Sequence, residues 1–169
     1  TAYDDMMVGD SLDNRFVGGA GDDTLQGGMG NDTLEGGVGN DWAMYSGATL
    51  AVTVDLVAGT ASGGADSDVL SDIENVKGGD LNDYLVGDAL ANILDGGLGN
   101  DTLIGGAGDN TLIGGGGVDL IVGGSGNDSI LTSAGSQVIA GGGNDTIFFE
   151  NIGQDFSNVS IDGGLGTDV

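Results

Sequence analysis

Along this chain an apolar residue recurs at every ninth position: Phe16, Leu25 and Leu34, then Leu85, Leu94, Leu103, Leu112, Ile121 and Ile130. A helix that faces a core needs three or four apolar residues in every two turns, so one in nine excludes an amphipathic helix. The spacing predicts instead a three-residue strand whose middle side chain points inward. The six residues between strands must turn the chain. They are rich in glycine, which reaches the positive-φ and close-approach geometries that such a turn requires. Two turns and two strands, eighteen residues, make one coil of a flattened solenoid with like strands stacked about 4.8 Å apart.

The register is continuous through Gly9–Val17, Gly18–Gln26, Gly27–Glu35 and Gly36–Met44, with Asp5 and Met7 in a partial copy ahead of them. It resumes at Gly78–Val86 and runs through Gly87–Asp95, Gly96–Ile104, Gly105–Ile113, Gly114–Val122 and Gly123–Leu131. Thr132–Ala140 is a degenerate copy, Gly141–Phe148 reads as one residue short, and Gly163–Val169 begins a further one. The expected organisation is a first repeat block at 1–44, an insert at 45–77, a second block at 78–148, and an interruption with the start of another repeat at 149–169. In the insert, Ala48, Leu50, Val52, Val54 and Leu56 alternate with small or polar residues, the signal of a half-buried strand. Gly63–Ser71 is a further copy with Asp66 in place of the third glycine. The insert is expected to cover the solenoid as part of the same domain, its strand packed against the roll through Leu50, Val52, Val54 and Leu56.

Composition sharpens this picture. The 169 residues include 38 Gly and no Pro, Cys or His, and 27 acids face two bases for a net charge of -25. Such a chain lies near the disordered class unless something neutralises it. Disulfides are excluded, and no apolar run reaches the length of a membrane span. With only Arg15 and Lys77 as cations, phosphate backbones are repelled, so neither nucleic acid nor an anionic membrane is an expected partner. The abrupt start at Thr1, with no basic and apolar leader, reads as a piece of a longer protein. The partner that 27 carboxylates call for is a cation.

Position six of the repeat says which cation. An aspartate there in turn after turn builds columns of carboxylates a strand spacing apart, which repel when bare. Calcium takes six to eight oxygens in flexible geometry, from carboxylates and backbone carbonyls alike, whereas magnesium holds its water and demands a stricter octahedron. Zinc and copper favour His or Cys. The copies "GGAGDDTLQ", "GGMGNDTLE", "GGLGNDTLI" and "GGSGNDSIL" resemble the RTX, or hemolysin-type, calcium-binding nonapeptide G-G-x-G-x-D-x-U-x, a signature of parallel β-helical solenoids.

That resemblance implies an all-β fold, a right-handed parallel β-roll, with calcium held by the position-six carboxylates and by main-chain carbonyls of the early turn. Carried over residue by residue, the carboxylates are Asp23, Asp32, Asp41, Asp83, Asp101, Asp119 and Asp128. The carbonyls are those of Gly19, Gly21, Gly28, Gly30, Gly37 and Gly39 in the first block, and of Gly97, Gly99, Gly106, Gly108, Gly115, Gly117, Gly124 and Gly126 in the second. Asn14, Asn92 and Asn110 replace the aspartate, and Leu81 replaces the third glycine beside Asp83. An amide oxygen ligates without charge. If alternate repeats share an edge, Asp83, Asp101 and Asp119 line one side and Asn92, Asn110 and Asp128 the weaker other. The resemblance also implies a secreted bacterial parent, exported by type I machinery and folding outside the cell.

Other readings attach to some residues. Asn31, Asn40, Asn100 and Asn127 at position five suit a left-handed turn backbone better than a ligand role. Trp42 and Tyr45 either seal the first block or offer a carbohydrate platform. A carboxylate pair for glycoside hydrolysis looks the same in sequence as two members of a calcium column, and nothing else here suggests catalysis. A structural or adhesive role in a surface-layer protein or large adhesin is the alternative function.

Overall fold

The computed structural model describes residues 2–63, 66–150 and 158–169. Every element of regular structure in them is a strand. The chain runs through β1 (Met6–Val8), β2 (Arg15–Ala20), β3 (Thr24–Gln26), β4 (Thr33–Val38) and β5 (Trp42–Met44). Then come β6 (Val52–Asp55), β7 (Thr60–Gly63), β8 (Asp66–Ser71), β9 (Asn75–Lys77), β10 (Tyr84–Val86) and β11 (Ile93–Asp95). It continues as β12 (Thr102–Gly106), β13 (Thr111–Ile113), β14 (Leu120–Ser125) and β15 (Ser129–Thr132), and closes with β16 (Gln137–Gly142), β17 (Thr146–Phe149) and β18 (Ser160–Asp162).

Successive repeats alternate between two sheets. One has the order β1-β3-β5-β9-β11-β13-β15-β17, and the other β18-β16-β14-β12-β10-β6-β7-β8-β4-β2. Neighbours in register are eighteen residues apart, as Met6 with Thr24, Tyr84 with Thr102 and Ile93 with Thr111. This is the coil the periodicity predicts: an all-β parallel solenoid, the β-roll. Position eight fills the space between the sheets. Leu25, Leu34, Leu85, Leu94, Leu103, Leu112, Ile121 and Ile130 are wholly buried, and Phe16 packs against them from the open end. Each stacks on its equivalent, Leu85 between Val54 and Leu103 and Leu112 between Leu94 and Ile130. Position eight supplies most of the large buried side chains of this core, with Val52, Ile73 and Ala140 joining it from other positions.

Residues 45–77 enter the sheets. After β5 the first sheet steps straight to β9, while the second gains β6, β7 and β8. β8 pairs parallel with β4 and β6 parallel with β10, and β7 runs antiparallel between them. Two hairpins in series need one reversed strand to leave both outer strands parallel to the roll. Val52 and Val54 are buried in β6, and Ala48 and Leu56 pack on the core. Leu50, expected to point inward with them, is 56% exposed. The strand begins only at Val52, so the alternation does not extend back through the bend that precedes it.

The repeat that lacks a residue is also not the one expected. Leu120 pairs with Gln137, seventeen residues on, whereas Thr111 still pairs with Ser129 at eighteen. The deletion therefore lies in the turn between β15 and β16, and Ala140 takes position one of a full copy that ends at Phe148. Most of the interruption expected at 149–162 lies outside the described residues. Replacing Val54 by Asp would set an unpaired charge between Leu85 and Ala61. We expect Val54→Asp to cost the calcium-loaded fold about 3 kcal/mol or more in chemical denaturation, and a loss below about 0.5 kcal/mol would contradict the burial of β6.

Candidate metal centre

Each turn delivers its position-six side chain to the mouth of the following strand, where it folds back over the glycine that opens the turn. A Cβ on Gly18, Gly96 or Gly123 would collide with the carboxylate of Asp23, Asp101 or Asp128. The second and fourth glycines answer to backbone geometry: Gly19 and Gly21 have φ of 109° and 123°, Gly97 and Gly99 of 98° and 120°. Left-handed values recur at every predicted carbonyl glycine except Gly108. A side chain on Gly37, Gly39, Gly115 or Gly117 would run into the carbonyl of Gly19, Gly21, Gly97 or Gly99 one coil away, so these carbonyls face the gap between coils.

The position-six columns are wired by one carboxylate oxygen. Oδ1 of Asp23 accepts the N–H of Asp5, and Oδ1 of Asp41 accepts that of Asp23, at 2.8 and 2.7 Å. In the second block Oδ1 of Asp101 accepts from Asp83 and Oδ1 of Asp119 from Asp101, at 2.7 and 3.0 Å. The other oxygen, Oδ2, is buried without a hydrogen-bond partner in Asp23, Asp32, Asp41, Asp101 and Asp128. An unsatisfied buried acceptor of this kind is costly, more so when charged. Burial holds the carboxyls of Asp32, Asp41, Asp83, Asp101, Asp119 and Asp128 above their usual range, with Asp101 pushed up to about 7. Hydrogen bonds to backbone N–H groups oppose this shift. Orphaned carboxylate oxygens, in turns whose glycine carbonyls face the neighbouring coil, are donors of the type a hard oxygen-seeking cation takes.

Other turns are closed by protein groups. Oδ2 of Asp83 accepts the N–H of Gly79 at 2.6 Å. Oγ of Ser136 lies 3.4 Å from Oδ2 of Asp119, and Ser133 Oγ donates to the carbonyl of Gly117 at 2.7 Å. The two asparagines are satisfied as well: Asn92 accepts the N–H of Asp88 at 2.8 Å and donates to the carbonyl of Glu74 at 2.9 Å. Asn110 donates to the carbonyl of Gly108 at 2.8 Å, which occupies one of the expected ligand atoms.

The structure also shows how the columns join across the insert. Because β5 pairs with β9, the edge of Asp5, Asp23 and Asp41 continues through Glu74 into Asn92, Asn110 and Asp128. Glu74 accepts the N–H of Asp41 at 2.8 Å. The edge of Asn14 and Asp32 continues through Asp68, which accepts the N–H of Asp32 at 2.9 Å. Asp68 was legible as position six of Gly63–Ser71. Asp145 is the member that sequence reasoning missed: it is wholly buried with an orphaned Oδ2, and its Oδ1 accepts the N–H of Asp128 at 2.9 Å. Placing the deletion in the preceding turn restores it to position six.

Position five forms a second, outer ladder with the opposite polarity. Asn82 accepts the N–H of Asn100, and Asn100 that of Val118, both at 2.8 Å. Asn31, Asn40, Asn100 and Asn127 are therefore not left-handed turn residues. Among the described residues the one non-glycine with positive φ is Asp72, at 51°. Tyr45 packs on the core and its hydroxyl donates to Oδ2 of Asp68 at 3.1 Å. Burial, followed by the neighbouring Asp68 charge, holds that phenol well above its usual range, so it stays a donor. Trp42 is half-buried on the outward side of β5.

A family model described as the RTX calcium-binding nonapeptide repeat matches residues 8–43, 77–112, 95–130, 113–147 and 137–151, together more than half of the chain. No curated protein matches it.

Three outcomes follow from the column chemistry. In the metal-free fold burial pushes the Asp101 carboxyl up to about 7, against about 3.9 in an unfolded chain. Its folded form thus keeps a proton that the unfolded form loses, so its contribution to stability is full below about pH 4 and is lost as pH rises through about 7. Calcium-stripped protein should gain β-structure by circular dichroism on acidification from about pH 8 to about pH 5, and no gain would contradict the burial of these carboxyls. On the asparagine edge, Asn92→Asp with Asn110→Asp should add calcium binding in calorimetry. Asp101→Asn should weaken its neighbouring sites about tenfold. Equal affinity of both edges in the parent chain would contradict the charge argument.

Proposed function

The chain belongs to the RTX calcium-binding nonapeptide repeat family, and on that premise we propose that it is a module of a secreted bacterial protein that folds on meeting calcium outside the cell. The observation that carries the reading is the set of buried Oδ2 atoms without partners in Asp23, Asp32, Asp41, Asp101 and Asp128. When bound, calcium supplies the positive charge that these columns lack. The proposed ligands are these carboxylates and the carbonyls of the positive-φ glycines; Asp83 and Asp119, also expected as ligands, have their Oδ2 atoms engaged by the Gly79 N–H and by Ser136 Oγ instead. We take 1–44 and 78–148 as the two repeat blocks and 45–77 as the segment that joins them. The role is structural rather than catalytic.

The energetic scale is sufficient. With a dissociation constant near ~100 μM per site, typical of extracellular modules, calcium at ~1 mM adds about 1.4 kcal/mol for each site by mass action. Half a dozen sites would contribute on the order of 8 kcal/mol, comparable with the whole net stability of a domain. At cytosolic calcium that contribution vanishes, and a charge of -25 favours an expanded chain suited to export through a narrow type I channel. The surrounding medium then supplies the ion that drives folding.

Far-ultraviolet circular dichroism through a calcium titration tests this reading. Near neutral pH and low ionic strength, the stripped chain should be largely disordered and should gain β-structure cooperatively as calcium is added. A fully β-rich spectrum in excess chelator, unchanged by calcium, would overturn it.

A further inference from the structure

The orphaned carboxylate oxygens are unevenly distributed. They belong to Asp23, Asp32 and Asp41 on one side and to Asp101, Asp128 and Asp145 on the other, with none among the described residues between 45 and 95. In that middle stretch protein groups stand where an ion would otherwise be needed. Both oxygens of Asp68 are used, one by the N–H of Asp32 and the other by the Tyr45 hydroxyl. Both oxygens of Asp83 are used, by the N–H groups of Val52 and Gly79 at 2.8 and 2.6 Å. Lys77 pairs with Asp95 across β9 and β11.

The turn before β11 closes itself. Asp88 accepts the N–H of Leu90 at 2.8 Å, and Asn92 accepts that of Asp88. It has no left-handed glycine, so its backbone does not follow the two-glycine geometry of the aspartate turns. The same stretch holds the only antiparallel pairing among the described residues, β6 with β7 and β7 with β8. Hairpin contacts close short loops and form early, whereas each parallel coil must close eighteen residues before its first contact. The inner faces are apolar throughout: Val54, Leu70, Val76, Leu85 and Leu94 are all buried.

We propose that residues 45–95 form a calcium-independent nucleus, in which Tyr45, Lys77 and Asn92 take the place of bound ions, and that calcium then adds the coils on either side. The nucleus presents ready-made strand edges: β8 and β9 template β4 and β5 towards the N-terminus, and β10 and β11 template β12 and β13 towards the C-terminus. Growth in both directions needs an ion wherever an aspartate Oδ2 lacks a partner. The proposal rests on the calcium-dependent reading of those outer coils.

Hydrogen exchange read by mass spectrometry on the whole chain, first in excess chelator and then through a calcium titration, tests it. In chelator, β6 and β8–β11 should exchange at least about tenfold more slowly than an unstructured chain, while β2–β4 and β14–β16 exchange freely until calcium is added. Tyr45→Phe keeps the ring and orphans Asp68, and should reduce protection of β8 and β9 in chelator about tenfold. Asp101→Asn should leave that central protection unchanged and raise the calcium needed to order β12 and β14. If the centre is unprotected in chelator and all strands gain protection at one calcium concentration, the nucleus is overturned while calcium-dependent folding stands. If every strand is protected in chelator, the calcium-dependent reading falls as well.

Discussion

A carboxylate that is buried but only half satisfied is the constraint on which this structure depends. One oxygen of the position-six aspartate holds the backbone N–H of the coil before it, which ties neighbouring coils together at each edge. The other oxygen has no protein partner in six of these residues. Desolvation raises the carboxyl pKa values where the shift is resolved, to about 7 in Asp101, so a metal-free roll must either keep protons on these groups or bear the cost of buried charge. Calcium held by these oxygens would remove the conflict by supplying both a positive charge and a centre that takes several oxygen ligands. Glycines such as Gly18, Gly27, Gly96 and Gly123 serve this arrangement because the carboxylate occupies the space a Cβ would need.

The remainder of the fold is economical to the same end. A core built mainly from position eight holds the two sheets together but cannot alone set the curvature of turns of six residues or fewer between successive strands of the repeat blocks. Two side-chain ladders do that work with opposite polarity. Position six reaches back to the preceding coil, and position five receives the N–H of the following one. The turn is thus clamped from both sides, with the inner clamp left open for an ion. Where the sequence departs from the repeat, side chains close the inner clamp instead, as at Tyr45 with Asp68 and Ser136 with Asp119.

Much of this was legible because a period repeated in register leaves little freedom. Leu25, Leu34, Leu85 and their equivalents announced the strand and its inward face, and the eighteen-residue coil followed from the need for two turns. The position-six columns were legible for the same reason. What was hidden lay where periodicity fails. Nothing in the alternation from Ala48 to Leu56 says that β6 begins at Val52 and leaves Leu50 outside. The missing residue near the C-terminus could be placed by counting glycines, but Ala140 at position one disguised a full copy and concealed Asp145. Asn100, Asn31 and Asn127 suggested left-handed turns by residue type, whereas their side chains accept a backbone N–H from the next coil of the same sheet, that of Val118, Ser67 and Asn144. Contacts such as Tyr45 to Asp68 depend on strand order, which no local pattern encodes.

The most direct test of this account is a crystal structure of the calcium-loaded chain with anomalous scattering used to place the ions. Calcium should lie within about 2.3–2.6 Å of Oδ2 in Asp23, Asp32, Asp41, Asp101 and Asp128, with carbonyls of the turn glycines completing each site. No ion should lie at Asp68 or between Asn92 and Asn110. Ordered water at those Oδ2 atoms, with calcium absent or bound elsewhere on the surface, would contradict it.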